Sequence, residues 1–483
     1  MSHLGLASLV FALTLALTYG AALLARAQAK PGAEEDLAGR SLNRWLIGLS
    51  AGTTGNSGFI VTGAVGLGYA GGVHWLLLPL GWLVGDLVYW SVFPARLNRL
   101  ARASGAVTVS ELLAHGLSGR AAKLLSATVA LVLIVFLGVY ASAQWLAGEK
   151  FLSGVFQLSE TTALVAFGLT IVAYSSLGGF RGSVYTDVVQ AVIRLIGTGV
   201  ALGAVIWFAL RAPAAFARNI AAAGPDFLTL FADGAIVPAL GFIAGFAGAA
   251  VGFGLGQPQI VSRYFAGASP EETQAARWIY IGFLQSTWIA MTVFGIVLRG
   301  VMPGVEDPET GLSVFFVANM GAVLTGIIFA DVFATIASTA NGILVAIAQT
   351  LRRDLLAGVF GVQREFSLVA MTVLTFFIGV ATIAASFVLP GNVFTLALEA
   401  VSKIGAGLAG PMMIKLFGWR HSASSLLAAI LAGIGAAYAW TWLGYAGAFN
   451  EAGIGIACSL LMNWAVAAVL GATAKVKSDA SRS

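Results

Sequence analysis

Charge is what this chain has least of. Asp, Glu, Lys and Arg make up 10% of its 483 residues, whereas 59% are hydrophobic and the mean hydropathy is +0.90. A soluble domain carries about a quarter charged residues, so this shortage excludes an ordinary water-soluble fold and leaves an all-α integral membrane protein. Cysteine is nearly absent: the lone Cys458 rules out an internal disulfide and a cysteine metal site, and reads as a small residue in an apolar run. His3, His74, His115 and His421 are scattered, none with a second histidine at ligand spacing, so no metal centre is expected. No His-Glu-x-x-His occurs, and an enzyme is not expected. Because no polar stretch is long enough for a soluble domain, the net charge of +5 does not mark nucleic-acid binding. The basic residues fall in short loops between apolar runs, the pattern of membrane topology.

What the chain has instead is long hydrophobic runs, two of them interrupted. The stretch from Trp45 to Ala70 could cross a bilayer, yet its middle reads Gly52-Thr53-Thr54-Gly55-Asn56-Ser57-Gly58. Glycines weaken helix propagation, and the Thr, Asn and Ser side chains put oxygens where a spanning helix usually presents Leu or Val. Gly241 to Ala266 repeats the design around Gly252, Gly254, Gly256, Gln257 and Pro258, and Pro258 lacks the N–H that would satisfy a carbonyl one turn earlier. In hydrocarbon, such carbonyls are tolerated only where they line a protein-enclosed cavity, and a pair of broken segments points to a transporter's binding site. Close packing of two Gly-rich helices is the competing reading of the same letters.

At about twenty apolar residues per crossing, the chain is expected to span the membrane about thirteen times. The spans fall near 4–25, 45–70, 74–95, 121–146, 160–178, 184–211, 235–264, 276–302, 321–350, 366–390, 391–417, 422–444 and 453–473. With the N-terminus outside and the C-terminus inside, only Lys150, Arg211, Arg218 and Arg299 among the flanking basic residues lie outside, as the positive-inside rule demands. Segments 103–115, 212–233 and 304–318 read as surface elements. Ten spans divide as five plus five, each set opening on a broken segment, and an odd number per set inverts the second relative to the first. The expected organisation is a peripheral span and inner loop (1–44), a first repeat (45–211), an outer linker (212–234), a second repeat (235–418), and two peripheral spans with a short cytoplasmic tail (419–483).

Several motifs carry a family likeness. Ser50-Ala51-Gly52 with Ser57-Gly58, Leu177-Gly178-Gly179-Phe180 with Tyr185-Thr186-Asp187 and Gln190, Gly256-Gln257-Pro258, and Ala337-Ser338-Thr339 resemble signatures of the sodium:solute symporter family. The chain looks most like its sodium/proline branch. The resemblance covers nearly the whole chain and implies the LeuT-type fold, with broken first and sixth core helices, in the cytoplasmic membrane. It also implies sodium as coupling ion, held by the carbonyls of Thr53 and Asn56 and the hydroxyls of Ser338 and Thr339, with Asp187 beside them. Sodium is a hard cation, and such oxygens suit it. Thr54, Gly55, Ser57, Gly58, Gly254, Gln257 and Pro258, with the deep-lying Trp82, are expected to contact the solute.

The chain also departs from that branch. Gly55 stands where sodium/proline symporters carry an aspartate, and Ala250 and Gly254 stand where they place aromatic residues, which implies a roomier pocket. Meanwhile Asp86, Asp331, Arg194, Glu399 and Lys403 lie inside spans, where a lone charge costs roughly 2.5–3.5 kcal/mol. They should therefore face the interior and have partners in coupling or gating. Glu399 and Lys403 are at i,i+4 spacing, and Arg194 is seven residues beyond Asp187. Asp86 or Asp331 would compensate for the aspartate absent at Gly55, with a proton replacing or accompanying sodium, and either could pair with Lys403 or Arg194. The expected function is sodium-coupled symport of a small organic solute, an amino acid or small carboxylate, by a monomer in the bilayer. The rival is a transporter-like nutrient sensor acting with a partner, since no kinase-like segment follows Thr473 in this sequence.

Overall fold

The computed structural model describes residues 3–28, 35–231, 236–362, 366–389 and 392–470. The expected tail after Thr473, and part of the 212–234 linker, fall outside them. The helices are α1 (His3–Ala27), α2 (Arg44–Gly55), α3 (Gly58–Val61), α4 (Gly63–Gly71), α5 (Leu77–Val92), α6 (Pro94–Ser104) and α7 (Val109–Ala114). They continue as α8 (Gly119–Phe156), α9 (Glu160–Arg211), α10 (Pro213–Ala222), α11 (Ile236–Gly256), α12 (Pro258–Phe265), α13 (Pro270–Ala275) and α14 (Arg277–Val301). Last come α15 (Gly311–Asn319), α16 (Ala322–Gln349), which runs on as a π-helix over Thr350–Val359, then α17 (Leu368–Ser386), α18 (Val393–Leu416), α19 (Ala423–Trp442) and α20 (Glu451–Val469). No strand occurs among the described residues.

Eleven of the described helical segments are long and apolar enough to cross a membrane. Two of them fold back on themselves. Within α9, Gly179 takes φ +57° and ψ −157°, a conformation open to glycine. Before it, Phe167 and Tyr174 meet Phe333 and Ala337; after it, Thr186 and Arg194 meet Asn341 and Asp331. The first half therefore runs parallel to α16 and the second antiparallel. The segment 58–92 likewise reverses at the 3-10 turn Gly72–Leu76: Gly48, Gly52 and Gly68 climb α14 against Ile279, Phe283 and Thr292, while Trp82 and Trp90 descend it against Trp288 and Tyr280. α5 runs beside α11 in the same direction, with Gly81 on Ile243, Gly85 on Ala247 and Tyr89 on Gly254. The two broken helices are consequently antiparallel, as an inverted repeat requires.

Short helices lie in the segments read as surface elements, α7 in 103–115, α10 in 212–233 and α15 at the end of 304–318, although Leu312, Phe315 and Phe316 of α15 are buried. The 74–95 span is shorter than expected: it stops at Phe93, where Pro94 opens the amphipathic α6. Leu97, Asn98 and Ala101 of α6 are buried, and the Asn98 amide donates to the carbonyls of Tyr264 and Gly267, pinning α6 to the end of the second broken helix.

A closed cavity between two broken helices

Both interruptions exist, and each is shorter than its sequence suggests. α2 ends at Gly55, Asn56 caps it, and Ser57 caps α3 by accepting from the Phe59 N–H. The Gly55 and Asn56 carbonyls accept no backbone hydrogen bond. In the second segment the helix does not unwind over 252–256, because those glycines serve packing. A Cβ on Gly252 would lie 3.1 Å from the Cα of Gly405, and one on Gly254 would lie 2.5 Å from the Tyr89 ring. Only Gln257 leaves the helix. Pro258 withholds the N–H that Gly254 O would accept, and the Tyr89 hydroxyl replaces it at 2.8 Å.

A cavity of about 50 Å³ lies between the breaks, lined by Gly55 and Ser57 with Trp82, Phe253, Trp288 and Phe394 among others. That is room for a few water molecules. The expectation of a roomier pocket is corrected: the volume that Ala250 and Gly254 give up is filled from elsewhere, by Tyr89 on Gly254 and by edge-on contacts of Trp82 with Phe253 and Phe59 with Trp288, both 5.5 Å between centroids. Of the residues expected at the solute, Gly55, Ser57 and Trp82 line this cavity. Thr54 turns to Asp187, the Gly58 N–H donates to Gln144 at 2.9 Å, and the Gln257 side chain sits between Val401 and Gln259. Pro258 lines a separate small cleft with Thr108 and Gln349. A larger cavity, about 330 Å³, lies away from the breaks, beside Arg26, the Gly178–Phe180 turn and Arg352.

On the other side of α2 lie the hydroxyls and carbonyls expected to hold sodium. Ser338 Oγ donates to Thr53 O at 3.1 Å, and Thr339 Oγ1 donates to Thr54 O at 2.8 Å, so α16 clasps the end of α2 through two hydroxyl–carbonyl pairs. The Asn56 amide instead donates to Thr287 Oγ1, and its Oδ1 is buried without a partner. Asp187 Oδ2 accepts from Ser50 at 2.6 Å, Thr54 at 3.1 Å and Arg263 at 3.2 Å. Ser50 matches the spelling of a hydrolase nucleophile elbow, Gly48-x-Ser50-x-Gly52, but it lies inside α2 with an aspartate and an arginine as partners.

The intramembrane charges pair differently from the sequence pattern. Asp187 takes Arg263 from α12 rather than Arg194, because Arg194 lies two helical turns along α9 and meets α16, where its Nη1 reaches both oxygens of Asp331 at 2.8 Å. Lys403 does meet Glu399 at 3.3 Å, but the buried Glu451 of α20 is closer at 3.0 Å. Asp86 remains without a cation among the described residues.

The model of the sodium:solute symporter family matches residues 37–433. The chain belongs to that family. Two proline transporters of Bacillus subtilis (strain 168) resemble this symporter at 25% identity. The osmoregulated proline transporter OpuE does so over 425 residues, 85% of this chain and 83% of that protein. The high-affinity proline transporter PutP does so over 460 residues, 92% of this chain and 94% of that one. Among solved structures, the substrate-bound outward-open state of a Na⁺-coupled sialic acid symporter superposes with a TM-score of 0.77 at 17% identity, covering 96% of this chain and 98% of that one. The symporter thus has the LeuT-type fold expected of it, and sodium is its family's coupling ion.

Proposed function

We propose that the protein is a sodium-driven carrier of a small organic solute, an amino acid or small carboxylate, working by alternating access as a monomer in the cell membrane. The observation that carries this reading is the pair of facing helix breaks with a tight cavity between them, flanked by the clasp of Ser338 and Thr339 on Thr53 and Thr54. Sodium would enter that clasp, with the carbonyls of Thr53 and Asn56 and the two hydroxyls as ligands and Asp187 supplying nearby negative charge. Rotating the hydroxyl protons off the carbonyls exposes the oxygen lone pairs a cation needs. The solute would sit at Gly55, Ser57 and Trp82, which line the cavity.

We count two crossings for each segment that folds back, which would make thirteen of the eleven apolar helices; an odd number puts the termini on opposite sides, and the positive-inside rule favours the N-terminus outside. The sets 45–211 and 235–418 form the inverted repeats, and α1, α19 and α20 are peripheral. The names of OpuE and PutP favour an amino acid. The test is solute uptake into proteoliposomes under a sodium gradient alone and a proton gradient alone. Sodium-driven accumulation is expected; binding of the solute without net uptake would turn the reading towards a sensor.

A further inference from the structure

One group of buried polar atoms without partners lies beside the cavity. Asp86 is 2% exposed and its Oδ2 has no hydrogen-bond partner. Its polar neighbour is the Gln285 amide, whose nitrogen and oxygen are both unpaired, and the phenols of Tyr264 and Tyr280 lie within electrostatic reach. One helical turn from Asp86 on α5 is Trp82; on α14, Gln285 lies between Leu284 and Trp288. All three of these neighbours line the cavity, and the indole N–H groups of Trp82 and Trp288 are themselves buried and unpartnered. Gly55 opens the floor between cavity and cluster: a Cβ there would stand 3.7 Å from the Tyr280 hydroxyl, in ordinary contact. Buried polar groups are almost always satisfied, and a carboxylate kept unpaired at this depth is costly. Asp187 and Asp331, by contrast, each hold an arginine. The cluster around Asp86 is thus a buried carboxyl group with no cation beside it among the described residues.

We propose that Asp86, with Gln285 and Tyr280 around it, receives the cationic amine of the solute, while the unpartnered Trp82 and Trp288 indole N–H groups face its acceptor end. The inference rests on the carrier reading above and narrows it from amino acids and carboxylates alike to amine-bearing solutes. A carboxylate–ammonium contact in a dry site supplies both charge and hydrogen bonds, and a site built for it rejects the amine-free analogue because its polar groups are then left unpaired.

The experiment uses the purified full chain in sodium, with matched pairs as ligands: L-proline and cyclopentanecarboxylate, L-alanine and propionate, L-phenylalanine and 3-phenylpropionate. At least one amine is expected to stabilise the protein, with its partner weaker by roughly ten- to a hundredfold, the range for losing one charge-assisted hydrogen bond. Asp86→Asn should remove that preference while leaving the response to sodium alone intact, which also reports that the variant folds. Should Asp86→Asn not fold, Asp86→Glu moves the carboxylate by one methylene and should weaken the amine severalfold. The proposal is overturned if no amine is bound, if the amine-free partner binds as well, or if the tested variant keeps the amine affinity. It is also overturned if the residue proves necessary for proton-driven uptake of an amine-free solute. Sodium-driven uptake of an amine-free carboxylate by the unaltered protein, as effective as that of its amine partner, would sink this inference and leave the carrier reading standing; loss of sodium dependence in the unaltered protein would sink the carrier reading itself.

Discussion

Thr339→Val is the sharpest probe of the proposed sodium site, because it removes one hydroxyl while leaving the volume nearly unchanged. Thr339 is fully buried and its hydroxyl donates to Thr54 O at 2.8 Å, so the exchange leaves that carbonyl one donor short and deletes one oxygen from the ion's shell. In the sodium-free protein the cost is that of one unmet buried hydrogen bond, about 1–3 kcal/mol. In the sodium-bound protein a contact to full charge is lost. Taking such a contact as about 1.5–3 kcal/mol and setting it against the loss in the sodium-free protein, sodium affinity should fall by up to about thirtyfold. The assay is a sodium titration of thermal stability, repeated as the sodium dependence of uptake. Thr335→Val is the control: one turn earlier on the same helix, its hydroxyl touches Asp331 at 3.3 Å and no backbone carbonyl of α2, so sodium affinity should hold. Equal sodium dependence in Thr339→Val and the unaltered protein would refute the reasoning, since a ligand cannot be removed at no cost.

The remaining predictions concern what holds the site in place. Arg194→Met or Asp331→Leu alone should destabilise the protein by about 3–5 kcal/mol, because each strands a buried charge, whereas the double variant should recover most of the loss in the same unfolding assay. Tyr89→Phe leaves the Gly254 carbonyl unpaired beside Pro258 and should cost about 1–3 kcal/mol, and Gly254→Ala should be worse because its Cβ lands on a packed ring; both are read as lowered melting temperature. Lys403→Met strands the buried Glu451 and should loosen α20 from α18, visible as faster proteolysis within 443–450.

The parts of the fold written locally in the chain were legible from it. Hydropathy located the crossings, and Pro258 and the Thr-Thr-Gly-Asn-Ser run marked the two breaks, because a missing N–H and weak helix formers act on their own neighbours. The extent of the second break was not legible. Gly252, Gly254 and Gly256 carry the same low propensity whether they unwind or pack, and Gly405 and Tyr89, distant in sequence, decide for packing. Charge pairing was misread for the same reason: Asp187 and Arg263 lie 76 positions apart, and no periodicity links them. Glu451 reads as the cap of a peripheral span until α20 is seen against α18. Gln144 and Thr287, which hold Gly58 and Asn56, gave no signal because a lone polar residue in a span looks alike whether it bonds its own helix or another.

The distribution of ion pairs explains how such a bundle can be both specific and able to switch. The pairs nearest the breaks, Arg263 with Asp187 and Arg194 with Asp331, are fully buried and costly to open. The pairs at the two ends of α8 are different in kind. At one end Asp36 meets Arg352 and Arg353, and Arg353 also meets Glu111; at the other Lys150 meets Asp307 and Glu309. Each of these end clusters is partly exposed, and pairs of that type are worth about 0–1 kcal/mol apiece and weaken with salt. Two weak latches therefore bracket a rigid centre, so an end can open at a cost of a few kcal/mol, which is the scale a bound ion can shift by preferring one state. On this argument Arg353→Gln, which loosens one end only, should increase thiol labelling of a cysteine placed at Ser104 beside Arg353, and sodium should reverse part of the increase. Labelling that is unchanged by the substitution would mean that the latch does not hold that end closed.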